Sequence, residues 1–115
     1  MPKSNGGANK RHEGGLRSAL AQSDIEAAID FYLVEAEHAL DGFILALEKA
    51  TAHIERSPAT GSPRYAHELN LPRLRFWPLT RYPYALFYIE HGDHLDVIRL
   101  VHMSRNIPFT LQGEI

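Results

Sequence analysis

Apolar residues recur at helical spacing through the first half of the chain. They lie three or four positions apart, which is the spacing of one helix face, and the stripe loses phase between Glu35 and His38. Two amphipathic helices joined by a short break therefore form a predicted helical hairpin. The apolar positions are Ile25, Ala28, Ile29, Tyr32 and Ala36 in the first helix and Phe43, Leu47, Ala50 and Ile54 in the second.

Polar residues and proline mark the ends of the predicted helices. The first helix begins at Ser18 or at Ser23, and Ser23 followed by Glu26 fits a capping box. The dipeptide of Ser57 and Pro58 ends the second helix, because the residue before proline avoids helical backbone.

The apolar period changes to two in the second half. Residues 57–73 carry three prolines and one glycine, which predicts a connecting loop. Strands are predicted over residues 74–79, 84–90 and 95–103, and "HGD" supplies a tight turn between the last two.

Helices followed by an antiparallel meander predict an α+β fold. We expect the N-terminal helical hairpin to pack on one face of a small antiparallel β-sheet. The folded domain is expected over residues 16–110, between a glycine-rich flexible tail over residues 1–15 and a short tail over residues 111–115.

Arg99 stands in the middle of the last predicted strand. Both faces of that strand carry aliphatic residues, so a central strand covered on both sides is expected. A buried guanidinium is costly unless it is paired. Two interpretations stay open: Arg99 pairs with Glu90 on the neighbouring strand, or it lies at a functional surface.

Composition narrows the class of protein. The 115 residues are 44% hydrophobic and 23% charged, as in a single soluble domain. The sequence has no cysteine, which excludes disulfides and thiolate metal sites. No apolar run approaches the roughly 20 residues of a membrane span, and the polar start lacks a signal-peptide core. A cytoplasmic protein without membrane contact is expected.

The formal net charge of -2 is unevenly distributed. Residues 24–56 carry eight acids against two bases, a net charge of -6. Residues 64–105 carry six arginines against four acids, a net charge of +2. The second half is therefore the expected site for an anionic partner.

Histidines and serines offer little recognisable chemistry. The seven histidines include no HExxH pair, and His91 and His94 flank a turn with Asp93, so ordinary solvated residues are expected, with no metal and no cofactor. Ser104, His102 and Asp96 have the residue types of a catalytic triad, but a triad is recognised by its geometry, which the sequence does not indicate.

Aromatic residues are interleaved with arginines around the first two strands. This arrangement resembles a stacking platform for single-stranded nucleic acid, but a sheet covered by helices needs about half of these rings as core. The residues are Trp77, Tyr82, Tyr84, Phe87 and Tyr88, beside Arg75 and Arg81.

Three segments carry a family resemblance: "AQSDIEAAIDFY", "RLRFWPL" and "YPYALFYIEHGDHLDVIRLVHMSRNIP". Together they resemble the ParE branch of the RelE/ParE superfamily, toxins of bacterial type II toxin–antitoxin modules of the plasmid-stabilisation type. The resemblance runs from about residue 21 to residue 109, and its last motif is the most specific. The matching residues are Leu74, Arg75, Phe76, Leu86, Phe87, Tyr88, Gly92, Asp93, Ile98, Arg99, Val101, His102, Arg105, Ile107 and Pro108.

The chain departs from the family pattern at three places. Met103 stands where relatives have glycine, and Asn106 stands where they have aspartate, so an ion pair of that aspartate is missing here. Only "HEGGLRS" precedes the helices, where relatives have an aliphatic first strand. We expect that strand to be short.

The resemblance implies a toxin that inhibits growth by binding DNA gyrase and is neutralised by a cognate antitoxin, without catalysis of its own. The alternatives are a ribosome-dependent mRNA endoribonuclease of RelE type and an inactive toxin-like domain. A ribonuclease would use Arg99, His102 and Arg105 as catalytic residues, but "FTLQGEI" adds no terminal tyrosine or histidine. The expected partner-binding residues are Arg75, Trp77, Arg81, Arg99, His102 and Arg105.

Overall fold

The computed structural model describes residues 15–112. Most of both predicted tails, residues 1–14 and 113–115, lies outside the described residues. The break between the two long helices is confirmed, and a 3-10 turn occupies it. The elements, in chain order, are β1 (Gly15–Arg17), α1 (Ala19–Glu35), α2 (Leu40–Arg56), β2 (Leu74–Pro78), β3 (Tyr84–Glu90), β4 (Leu95–His102) and α3 (Ile107–Leu111).

Ser18 caps α1 and attaches it to the sheet. Its Oγ accepts a hydrogen bond from the Ala21 amide at 3.0 Å and donates one to the Ile98 carbonyl at 2.8 Å. Of the two predicted starts, Ser18 is therefore confirmed. The capping box at Ser23 is wrong, because Ser23 lies inside the helix.

The sheet has the strand order β1-β4-β3-β2. The α+β class and the helical hairpin on a sheet are confirmed. The sheet is mixed rather than purely antiparallel, because β1 pairs with β4 in parallel while the other two pairings are antiparallel. The bounds predicted for β3 are confirmed, whereas β2 and β4 each end one residue earlier than predicted.

Both faces of the sheet are buried, so there are two hydrophobic clusters. The helical hairpin covers one face, which includes Leu86, Tyr88 and Leu100. The connecting segment and α3 cover the other face, which includes Phe87 and Val101. Phe87 and Tyr88 are fully buried. Their assignment to the core is confirmed, which excludes them as a surface platform for bases.

A β-bulge at Ile98 changes the alternation along β4. Phe87 pairs with Arg99 while Tyr88 pairs with Val97, so Ile98 has no partner on β3. Strict odd and even alternation through the strand is therefore wrong. Val97 and Leu100 both pack toward the helices, although they are three positions apart.

Candidate partner-binding groove

A groove of about 520 Å³ lies between α1 and the C-terminal end of β4. Parallel pairing with the three-residue β1 covers only the first part of β4, so α1 lies along the rest of that edge. The groove brings together three of the residues that the sequence selected. Its lining includes Asp24, Ala27, Phe31, Tyr32, Tyr84, Arg99, His102, Ser104, Arg105 and Thr110.

Arg99 is bound to Asp24 of α1. The Arg99 Nε lies 2.7 Å from one carboxylate oxygen and Nη2 lies 3.1 Å from the other, a bidentate pair. The two side chains are only 11% and 19% exposed. The predicted pairing with Glu90 is wrong, because Glu90 lies opposite Leu95 near the other end of β4.

Asp24 also replaces a missing strand partner. Its Oδ2 accepts a hydrogen bond from the Leu100 amide at 3.0 Å. That amide lies on the edge of β4 beyond the last β1 pair, which is Arg17 with Val97. One carboxylate thus satisfies a strand amide and a guanidinium together. Arg99 therefore joins α1 to the sheet at the floor of the groove.

His102 has a defined tautomer. Its Nδ1 accepts hydrogen bonds from the Ser104 amide at 3.1 Å and the Ser104 hydroxyl at 2.8 Å. Because the amide can only donate, the neutral ring carries its proton on Nε2. The ring packs edge-on against Tyr84, with centroids 5.1 Å apart. His102 therefore offers the groove a hydrogen-bond donor.

The proposed serine triad does not form. Asp96 lies six residues from His102 along β4, a separation of about 20 Å. Its carboxylate is hydrogen-bonded to His91 instead, at 2.9 Å. The arrangement excludes Ser104, His102 and Asp96 as a catalytic unit.

Arg105 supplies positive charge at the rim of the groove. It is exposed and makes no ion pair with any residue in the range 15–112. Burial raises the pKa of Tyr84, and the charge of Arg105 partly offsets that increase. The Tyr84 phenol therefore stays protonated at neutral pH. The groove presents a cation, a phenol and an imidazole N–H.

The other three selected residues lie outside the groove. The Arg75 guanidinium donates to the carbonyls of Ala59 at 3.1 Å and Gly61 at 2.7 Å, so it fastens the connecting segment to β2. Trp77 stacks on His53 with ring centroids 4.1 Å apart. Arg81 is exposed in the β2–β3 turn with a φ of 71°.

An apolar stripe on α1 is not among the features predicted from the sequence. Leu20, Ala27, Phe31 and Val34 repeat at spacings of seven, four and three and occupy one helix face. Phe31 is 52% exposed and Val34 is 79% exposed. The sequence carries a signal for this stripe, because these residues have helical spacing of their own and lie on a different helix face from the core residues. An exposed stripe beside a polar groove is typical of a protein-binding surface.

A family model described as the ParE toxin of the type II toxin–antitoxin system parDE matches residues 16–107. The chain therefore belongs to the ParE toxin family. The ParE assignment that the strand motifs predicted is confirmed. The match includes the last two residues of β1, both long helices, the other three strands and the first residue of α3.

The ParE fold is also found in a solved structure. A chain of the chromosomal ParDE system from P. aeruginosa matches with a TM-score of 0.62 at 14% sequence identity. The match covers 77% of this chain and 94% of that one. The search of curated proteins found no match.

Within residues 15–112, no helix is long and apolar enough to cross a membrane.

Proposed function

We propose that this chain is a ParE-type toxin that arrests growth by binding DNA gyrase and is neutralised by a cognate antitoxin. The family match over residues 16–107 supports a toxin, and the Asp24–Arg99 pair favours binding over catalysis. An arginine that stabilises a phosphorane must face the phosphate. Arg99 instead directs its Nε and Nη2 to a carboxylate.

One observation favours the ribonuclease as the second candidate. His102 carries its proton on Nε2 beside the exposed Arg105, so a hydrogen-bond donor and a cation line the same groove. Cleavage at a 2′-hydroxyl needs both a base and an acid, and His102 cannot serve as both in one step. The gyrase-binding function therefore remains the first proposal. The chain would be an inactive toxin-like domain if it showed neither activity.

Controlled expression in a bacterial host separates these functions. We expect growth arrest with induction of a DNA-damage reporter, intact transcripts and inhibited supercoiling by purified gyrase. Cleaved transcripts with undamaged DNA would indicate the ribonuclease instead. Soluble folded protein without arrest would indicate the inactive domain.

Two variants locate the toxic surface. The double variant His102→Ala, Arg105→Ala removes the polar rim of the groove without touching the Asp24–Arg99 pair, and we expect it to be folded and non-toxic. Arg64→Ala is the matched control, because Arg64 is also an exposed arginine but contacts the Tyr65 ring away from the groove. Full toxicity in the double variant would place the gyrase contact elsewhere.

We propose that the antitoxin covers the α1 stripe. The covering segment would present apolar residues at helical spacing toward Phe31 and Val34 and a carboxylate toward Arg105. Because both apolar residues are more than half exposed, Phe31→Glu and Val34→Glu should fold normally.

Binding to the product of the adjacent gene, measured by calorimetry, tests this surface. We expect the Phe31→Glu, Val34→Glu double variant to lose at least about 100-fold in affinity, because charges replace buried apolar contacts. Leu45→Glu is the control, since Leu45 is 50% exposed on α2. If the double variant bound the antitoxin as tightly as the Leu45→Glu control, the stripe would be excluded as the antitoxin-binding surface.

A further inference from the structure

We propose that the β3–β4 turn contains a binding site for a divalent transition-metal ion, formed by His91, His94 and Asp96, and that Zn²⁺ suits it best. These side chains lie near the start of β4, whereas the groove lies at its end. The site is therefore independent of the toxic surface and of the function proposed above.

The three side chains converge on one point. One possible ligand atom from each residue lies within 4.8 Å of the others. His91 Nε2 lies 2.9 Å from Asp96 Oδ2, and His94 Nε2 lies 3.5 Å from Asp96 Oδ1. Tetrahedral Zn²⁺ with N and O ligands places its ligand atoms about 3.3 Å apart. Each histidine nitrogen is thus already close to that distance from one of the two Asp96 oxygens.

The hairpin fixes these positions. The His91 amide donates to the His94 carbonyl at 2.8 Å and closes the turn. The two imidazoles lie nearly parallel, with centroids 4.6 Å apart. Asp96 pairs with Ile89 in the adjoining ladder. About a third of each of the three side chains is exposed, so an ion can enter from solvent.

A second carboxylate orients His94. Its Nδ1 lies 2.7 Å from Asp93 Oδ1, so an Nδ1–H donor leaves the Nε2 lone pair directed at the proposed site. Histidine ligands of metals commonly donate their other N–H to a carboxylate in this way. Two imidazoles and a carboxylate are ligands that Zn²⁺ accepts, with water in the fourth position.

Arg73 opposes binding at His91. Its Nη2 donates to His91 Nδ1 at 3.3 Å, so in the metal-free protein the ring proton is on Nε2 and is shared with Asp96. Metal binding at Nε2 requires the proton to move to Nδ1, and Arg73 must then turn away. We expect Arg73→Ala to bind metal at least as tightly as the unmodified chain.

Calorimetric titration of the untagged, chelator-treated full chain with Zn²⁺ tests the proposal, with Co²⁺ absorption as a spectroscopic readout. We expect one ion per chain, tetrahedral Co²⁺ bands, and a thermal midpoint that rises with Zn²⁺. His94→Gln and Asp96→Asn should each weaken binding by at least about tenfold, and Asp93→Asn by about tenfold through its effect on His94.

His67→Gln is the matched control, because His67 is exposed in the connecting segment. It should bind metal as the unmodified chain does. Circular dichroism in chelator shows whether each variant is folded. Absent binding by the unmodified chain, unchanged affinity in a folded His94→Gln variant, or loss of binding in His67→Gln or Arg73→Ala would overturn the proposal.

Discussion

At the scale of single residues, Asp24 holds the open edge of β4. Its carboxylate accepts two hydrogen bonds from Arg99 and one from the Leu100 amide. Asp24→Ala leaves a partly buried cation and a strand amide without their acceptor. We expect the free energy of unfolding to fall by about 2–3 kcal/mol. The measurement is the urea midpoint at an unchanged denaturant slope.

Asp30→Ala is the control for that loss, because Asp30 is an exposed acid on the same helix. It should change stability by less than about 0.5 kcal/mol. Similar stability of the two variants would contradict the role of Asp24. The sequence showed that Arg99 needs an acceptor, but Asp24 stands 75 positions away. Only the packing of α1 along β4 selects it over Glu90.

At the scale of elements, the start of α1 depends on Ser18 rather than on Ser23. Ser18→Ala removes the helix cap and the hydrogen bond to Ile98, so we expect a loss of about 1–2 kcal/mol. Ser23→Ala should be neutral or slightly stabilising, because alanine favours helix interiors. Thermal unfolding and hydrogen exchange at the Ala21 amide measure the stability change in each variant. Equal losses for the two serines would contradict this assignment.

The local sequence pattern specifies some elements of the fold much more completely than others. β3 was predicted to the residue because "YALFYIE" is rich in aromatic and β-branched residues and is bounded by turn residues. β1 has only three residues, "GLR", and no period, so its pairing with β4 depends on contacts about 80 positions away. The bulge at Ile98 likewise depends on registration with β3, and it moves the later β4 side chains to unexpected faces.

At the scale of the whole molecule, buried phenols make stability depend on alkaline pH. Burial raises the pKa values of Tyr32, Tyr84 and Tyr88. Tyr32 and Tyr84 pack together between the helical hairpin and the sheet, with ring centroids 6.4 Å apart. An unfolded chain loses its tyrosine protons near pH 10, while the native state still retains them. The free energy of unfolding should therefore decrease as pH rises through and above about 10.

Tyr32→Phe tests that dependence with little disturbance, because the Tyr32 hydroxyl makes no hydrogen bond to any residue in the range 15–112. We expect stability at neutral pH to change by less than about 0.5 kcal/mol. Above pH 10 the decline should be shallower by up to about 1.4 kcal/mol per pH unit, since one fewer proton is released on unfolding. Urea midpoints across the alkaline range measure the slope. An unchanged slope in a variant of normal neutral stability would mean that the Tyr32 phenol ionises equally in both states.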